Sequence, residues 1–178
     1  MVHNKTVFSK YLNNYFVETG TYQGLGVSLA LEAGFKYIRS VELSDSLYME
    51  CLEKFKNYLN VKLYHGNSSE KLWEMISDIH EPITFWLDAH YSDSTTAKGP
   101  EFSAVMKELE IIKKHPIKSH TILIDDVRDM GTPYFDFVAK EHVIEKILEI
   151  NPNYKISYEN GSVSDNNILY NDVLVARV

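Results

Sequence analysis

The chain has 178 residues, of which 44% are apolar, 24% charged and 12% aromatic, the make-up of one globular domain spanning residues 1–178. Lys and Arg number 18 against 25 Asp and Glu, a formal charge of −7, which argues against nucleic acid or anionic membrane as partners because neutralising phosphates needs surplus cations. A lone cysteine, Cys51, excludes a disulfide framework and a thiolate zinc site, and no apolar run approaches the roughly 20 residues that span a bilayer or forms an export signal, so a cytoplasmic location is expected.

The elements alternate along the chain. Tyr15-Phe16-Val17 reads as a strand ending at Glu18, followed by the glycine-rich turn TGTYQGLG and a helix from Val27 that Gly34 stops. A second strand, Lys36 to Val41, ends at Glu42. Asp45 to Leu59 then carries Leu47, Tyr48, Cys51, Leu52, Phe55 and Leu59 at helical spacing, with Ser44 or Asp45 as its cap. Val61 to Tyr64 is a third strand, and Gly66-Asn67-Ser68 turns into a helix over Glu70 to Ile79. The nearly all-apolar run Ile83 to Leu87 predicts a strand buried on both faces. The polar loop HYSDSTTAKGP and a helix from Phe102 to Lys114 come next, then a buried strand, Thr121 to Ile124, ending at Asp125-Asp126. A helix from Tyr134 to Ile150 and two closing strands, Tyr154 to Tyr158 and Ile168 to Val178, complete the chain. This order predicts an α/β fold: a Rossmann-like, doubly wound, seven-stranded sheet, mainly parallel, with one antiparallel strand near the C-terminus and helices on both faces.

In open sheets of this kind ligands bind at the carboxyl ends of the strands, near the point where strand order reverses. Glu18, Glu42, the pair Asn67 and Ser68, the pair Asp88 and His90, and the pair Asp125 and Asp126 stand at five such ends in succession. One carboxylate there can be a helix cap; five polar strand ends on one edge favour a functional site. Gly20, Gly24 and Gly26 let the first loop turn tightly ahead of a helix N-terminus, but their spacing is not GxGxxG. Glu42 stands where a carboxylate would hold a ribose diol. Together they indicate a nucleoside-containing ligand that need not carry a pyrophosphate.

The segment FVETGTYQGLGVS resembles the first motif of class I S-adenosylmethionine-dependent methyltransferases, ExGxxxG, and the acid after the second strand also agrees. The resemblance spans most of the chain. It implies that Glu18, Thr19, Gly20, Thr21 and Ser28 surround the methionine part of the donor, that Glu42 holds the ribose, that Asn67 and Ser68 lie by the adenine, and that Tyr22, Gly24, Leu43 and Asp88 complete the donor site. WLDAHYS and ILIDDVRD further resemble the metal-dependent sugar O-methyltransferases of the macrocin O-methyltransferase type. That resemblance implies one Mg²⁺ or other divalent cation on Asp88, Asp125 and Asp126, with Asp88 and His90 as catalytic residues. The chain departs from the family where its second acid of DxD is replaced by His90, whose imidazole can act as a base near neutral pH.

The expected activity is methyl transfer to a hydroxyl of a sugar, glycan or similar polyol. The small-molecule or glycan acceptor has no cationic pocket beyond Arg128 and Lys98, Ser92 to Pro100 is long enough for a lid, and a homodimer would supply cover that the short N-terminal segment does not. Two rivals are a non-catalytic S-adenosylmethionine or nucleoside-binding module and a nucleotide-dependent oxidoreductase. A third, a metal-dependent hydrolase or glycosyltransferase, leaves Glu18, Glu42 and the glycines unexplained. His65, His80, His115, His120 and His142 show no ligand spacing and read as surface or packed residues.

Overall fold

The computed structural model describes residues 5–89, 103–162 and 168–178. Strands β1 (Tyr15–Thr19), β2 (Tyr37–Glu42), β3 (Val61–His65), β4 (Ile83–Leu87), β5 (Thr121–Ile124), β6 (Lys155–Ser162) and β7 (Ile168–Arg177) interleave with helices α1 (Lys5–Lys10), α2 (Leu25–Ala33), α3 (Asp45–Phe55), α4 (Ser68–Ile76), α5 (Val105–Lys114) and α6 (Lys140–Ile150). The strands form one sheet in the order β3-β2-β1-β4-β5-β7-β6. All run parallel except β7, which is inserted antiparallel between β5 and β6. Strand order reverses between β1 and β4, so the tips of these two strands mark the switch point.

Burial explains the arrangement. Every residue of β4 and β5 is buried, as a strand covered on both faces requires, whereas the edge strand β3 buries only Tyr64. Alternate side chains of each strand feed two cores. Val17, Phe85 and Ile122 pack against Leu72 and Met75 of α4, Leu109 and Ile112 of α5, and Val143 and Ile147 of α6. On the other face Phe16, Trp86, Leu123 and Val175 meet Phe8 of α1, Val27 and Ala30 of α2, and Cys51 and Phe55 of α3.

Several element limits differ from the sequence expectation. Helix α3 stops at Phe55, where a Tyr58 N–H to Phe55 carbonyl bond closes a turn, and Leu59 is fully solvent-exposed instead of on the buried face. Helix α4 starts earlier, because the Asn67 side chain accepts from the Ser69 N–H at 2.9 Å and makes Ser68 the first helical residue, and it ends at Ile76 rather than Ile79. The helix expected from Tyr134 begins only at Lys140: a 3-10 turn spans Pro133–Phe135, and Asp136 and Phe137 are both left-handed (φ 51° and 59°). Strand β6 extends to Ser162, past Tyr158. Helix α2 opens at Leu25, two residues ahead of Val27, and Gly34 closes it with φ 99° as expected. Helix α1 was not anticipated; it is anchored by Phe8, whose ring lies 4.9 Å from that of Phe16 and 5.0 Å from that of Trp86. The helix expected from Phe102, itself outside the described residues, begins only at Val105, since Ser103 is a bridge residue and Ala104 is the cap. Among the described residues no helix is long and apolar enough to cross a membrane.

Candidate functional site

The first loop is built on backbone geometry. Gly20 (φ 84°) turns the chain off β1 so closely over β4 that a Cβ there would lie 2.7 Å from the Asp88 carbonyl oxygen. The Gly20 and Thr21 N–H groups both donate to the Val41 carbonyl at the end of β2, and the Asp88 N–H donates to the Thr19 carbonyl, so the three strand tips are stitched together. Gly24, also left-handed, caps α2 with no side-chain bond, and its pro-Cβ direction is closed by the Phe55 ring. Cys51 Sγ donates to the Tyr22 carbonyl from below; burial pushes this thiol up to about 11, the behaviour of a packed cysteine rather than a reactive one. Lys54 reaches the Gln23 and Gly24 carbonyls.

Glu18 is almost wholly buried, and its Oε1 occupies the space a Cβ on Gly26 would need. The third glycine of the loop, out of place for a pyrophosphate motif, is thus required by this carboxylate. Ser40 Oγ donates to Glu18 Oε2 at 2.6 Å; with its single proton so used, Ser40 must accept from Thr21 Oγ1, also 2.6 Å away. Burial, opposed by this bond and reinforced by the charges of Asp88 and Glu42, holds the Glu18 carboxyl well above the usual carboxylate range. Glu42 is oriented at both oxygens by backbone: Oε2 accepts from Tyr22 N–H at 2.7 Å and Oε1 from Ser44 N–H at 2.8 Å.

The remaining donor-side residues fall into two kinds. Thr19, Thr21 and Ser68 are buried, Thr19 accepting from the Asp88 N–H, Thr21 bonding Ser40 and Ser68 bonding Glu108, and Leu43 is half-buried where the chain leaves β2. Asn67 and Ser28 are bonded to their own helices: Asn67 caps α4, and Ser28 Oγ donates to the Gly24 carbonyl at 2.9 Å.

The acidic residues after β4 and β5 converge. Asp88, Asp125 and Asp126 each bring one carboxylate oxygen within 4.8 Å of the others, and all three are nearly buried. Burial first, then the neighbouring charges of Asp88 and Asp126, raises the Asp125 carboxyl well above its ordinary value. Three crowded carboxylates form an oxygen-rich donor set suited to a hard divalent cation that keeps part of its water shell. Asp126 is left-handed (φ 58°), and the 3-10 turn Val127–Asp129 that follows brings the Arg128 guanidinium back onto it, with Nη1 2.5 Å from Asp126 Oδ1. Arg128 also pairs with Asp172 and Asp129, so its charge is already directed at carboxylates. His90, Tyr91, Lys98 and the Ser92 to Pro100 loop lie outside the described residues.

Two buried residues of this edge escaped the sequence reading. Ser40 is the lone hydroxyl in the buried half of β2. Glu108 is a fully buried carboxyl on the core side of α5, with Oε1 unpartnered. Desolvation, opposed by hydrogen bonds from Ser68 and Thr19 and reinforced by Asp88, pushes it up to about 7. Val105, Glu108, Leu109 and Ile112 share one helical stripe, which α5 turns toward the core. The remaining histidines behave as packed or surface groups. His115 and His120 are buried at the opposite edge of the sheet, and His65 stacks on Tyr48 and faces Asp45.

The loop chemistry discriminates among ligands. Glu42 and Asp88 stand at the β1 tip beside the buried Glu18 carboxyl, an acidic surrounding that repels a pyrophosphate and attracts a ligand with cationic ammonium and sulfonium groups. Neither family models nor curated proteins match this chain. Solved structures do. An O-methyltransferase from Bacillus cereus in complex with S-adenosylhomocysteine aligns over 98% of this chain and 78% of its own at 13% identity, with a TM-score of 0.64. A Streptomyces achromogenes O-methyltransferase involved in tomaymycin synthesis, in complex with S-adenosylmethionine, aligns over 98% and 77% at 11% identity, TM-score 0.61. A Streptococcus mutans methyltransferase candidate with S-adenosylhomocysteine matches over the whole of both chains at 13% identity, TM-score 0.60. Identities this low speak for architecture, and in architecture the chain is similar to these enzymes from end to end. Its fold is that of the class I S-adenosylmethionine-dependent methyltransferases.

Proposed function

We propose that this chain is an O-methyltransferase that transfers a methyl group from S-adenosylmethionine to a hydroxyl of a sugar, glycan or similar polyol, with Asp88, Asp125 and Asp126 holding a divalent cation such as Mg²⁺. The observation that carries the reading is adjacency. The β1 loop, with its acidic surroundings, and the acidic trio meet at one switch point, where the Asp88 N–H bonds to Thr19 and a Cβ on Gly20 would strike the Asp88 carbonyl.

Each oxygen of Glu42 already accepts one backbone N–H and retains lone-pair capacity for one ribose hydroxyl, so its two anchors aim it rather than consume it. Glu18, with Thr19, Gly20, Thr21, Tyr22, Gly24 and Ser28, would form the methionine cradle, Leu43 would flank the ribose, and Asn67 and Ser68 would border the adenine. A cation on the trio would supply Lewis-acid polarisation, lowering the pKa of a hydroxyl it contacts. Asp88 would help to orient the acceptor hydroxyl toward the donor, and His90 is the base nominated to take its proton. The negative surface and the engagement of Arg128 by carboxylates favour a neutral acceptor over a sugar phosphate.

Thermal unfolding with S-adenosylhomocysteine, with NAD and without ligand tests the donor. At 100 times its dissociation constant a ligand adds about 2.7 kcal/mol, which for a domain of this size raises the midpoint by roughly 5–10 °C. Stabilisation by S-adenosylhomocysteine alone is expected. Stabilisation by NAD instead overturns the methyltransferase reading. Methyl transfer to a panel of neutral vicinal diols, with Mg²⁺ and with EDTA, tests the acceptor and the cation; turnover undiminished by EDTA removes the cation from the proposal.

A further inference from the structure

The acidic trio already has a cationic neighbour of its own. Arg128 Nη1 approaches Asp126 Oδ1 at 2.5 Å, the same nitrogen donates to Asp172 Oδ2, and Nη2 lies 3.8 Å from Asp129 Oδ2. Asp172 grips Arg128 a second time, with Oδ1 accepting from its backbone N–H at 3.0 Å. This grip is built into the sheet: Asp172 is a buried residue of β7, and it fits where β6 has an irregular register between Glu159 and Gly161, with a Cβ on Gly161 coming within 3.2 Å of the Asp172 carboxylate. A guanidinium anchored on one strand is thus pressed against a carboxylate standing after another. Arg128 and Asp172 are 44 residues apart.

We infer that Arg128 is a resident counter-cation of the acidic trio, so that a divalent ion at Asp88, Asp125 and Asp126 binds in competition with a fixed guanidinium charge. The inference rests on the cation reading of the trio. Its physical content is Coulombic. Three buried carboxylates repel one another, one fixed positive charge relieves that repulsion in the ion-free protein, and the same charge opposes an arriving cation. Arg128 therefore sets the affinity of the site at a level weaker than its three acids alone would give, and it does so as a positioning and charge-balancing residue with no contact to the reacting groups.

The test is direct binding of Mn²⁺, followed by electron paramagnetic resonance of the free ion, for the wild type and three variants, with unfolding in EDTA alongside. Arg128→Gln is expected to bind Mn²⁺ about tenfold more tightly, the scale of one lost charge–charge interaction, and to be less stable without metal. Because that variant strands the buried Asp172 carboxylate, Arg128→Gln/Asp172→Asn removes both partners, and tighter binding is expected there too. Arg128→Lys keeps the charge and is expected to match the wild type within about twofold. If the wild type binds Mn²⁺ and the folded Gln variants bind equally or more weakly, or if the Lys variant behaves like Gln, the counter-cation role is wrong while the cation site stands. Absence of Mn²⁺ binding in every variant removes both.

Discussion

The two edges of the sheet bury polar groups on opposite terms. At the amino edge His115 and His120 are completely buried, and one arrangement of protons satisfies both rings. The Ile83 N–H donates to His120 Nδ1, so His120 Nε2 carries a proton and donates to His115 Nδ1 at 3.0 Å. His115 Nε2 in turn donates to the Ile79 carbonyl at 3.0 Å. Nearby, Asn13 and Asn14 bond Thr84 and Glu81. At the carboxyl edge, buried Glu18, Glu108 and Asp125 are raised by desolvation and by one another's neighbours, and Glu108 keeps an unpartnered oxygen. A fold selected for stability alone would not gather acids there, because unsatisfied buried charge costs several kcal/mol. The contrast sets an edge of satisfied packing against the edge that carries the proposed site.

The largest expected effect separates the two terms within one residue. Asp125→Asn removes a repelled carboxylate while keeping its shape. It should raise the unfolding midpoint in EDTA, by on the order of 1 kcal/mol of stability, and reduce cation-dependent methyl transfer by about 10³-fold, or roughly 4 kcal/mol. A loss of activity accompanied by a loss of metal-free stability would mean that Asp125 is scaffold like the histidines.

At the amino edge the opposite pattern is expected. His120→Leu leaves the Ile83 N–H without its acceptor and should cost about 2–3 kcal/mol, read as a lower midpoint, with the dissociation constant for S-adenosylhomocysteine unchanged. The pH dependence sharpens this. Burial first, then the charges of His115 and Lys118, drives His120 from 6.5 to about 3. The unfolded chain therefore takes up a proton that the folded one refuses, and stability is lost as pH falls from 6.5 towards 3. Glu108 runs the other way: raised from 4.5 to about 7, it holds its proton longer when folded, so its contribution is full below 4.5 and is lost as pH rises to 7. Denaturant unfolding between pH 4 and 7.5 should show the acid-side loss diminished in His120→Leu and the loss toward neutrality diminished in Glu108→Gln. Identical profiles for all three proteins would refute the assignment of both slopes.

How much of each edge is legible from residues alone follows from the range of the interactions. The strand tips announce themselves, because Glu18, Glu42, Asp88 and Asp125 each end an apolar run that must be a buried strand. The core and the insertion of one antiparallel strand follow from the same runs and the closing hairpin. Glu108 does not announce itself, because a single carboxylate within a helical stripe reads as solvated until the fold presses that stripe against Ser68 and Thr19. The Arg128–Asp172 grip is invisible for a different reason: it joins two segments brought together only when β7 slides between β5 and β6. Helix α1 is six residues long, too short for periodicity to show, and the left-handed Asp136 and Phe137 carry no glycine to mark the break.

A smaller effect is expected at Glu42, the acid that bridges loop and helix start. Glu42→Ala frees the Tyr22 and Ser44 N–H groups and removes the carboxylate nominated for the ribose. Charged hydrogen bonds are worth about 1.5–3 kcal/mol, so S-adenosylhomocysteine should bind roughly 10–100-fold more weakly by calorimetry. Mn²⁺ affinity at the trio should stay within about twofold if the donor and cation halves are separately built. An equal loss at both would show that the edge is one coupled unit.

The smallest effect tests the rim. Phe137 is 70% exposed and holds φ 59°, a conformation that costs a residue with a side chain about 1–2 kcal/mol. Its N–H donates to the Thr132 carbonyl and the neighbouring Asp136 accepts from Ser103 N–H, so the turn is fixed from both sides with the ring left outward. Tyr134 and Tyr170 are also exposed, on the turn after β5 and on the start of β7, two segments that topology brings to the carboxyl edge. If the strain serves only chain reversal, Phe137→Gly should stabilise the protein by a few tenths to about 1 kcal/mol and leave turnover alone. If the ring stacks on an acceptor, the same stabilisation should come with a KM for the acceptor raised several-fold at unchanged kcat, since removing contacts made equally in ground and transition states acts on KM alone. The second outcome is expected on the proposed polyol acceptor, because exposed aromatic faces are suited to sugar rings.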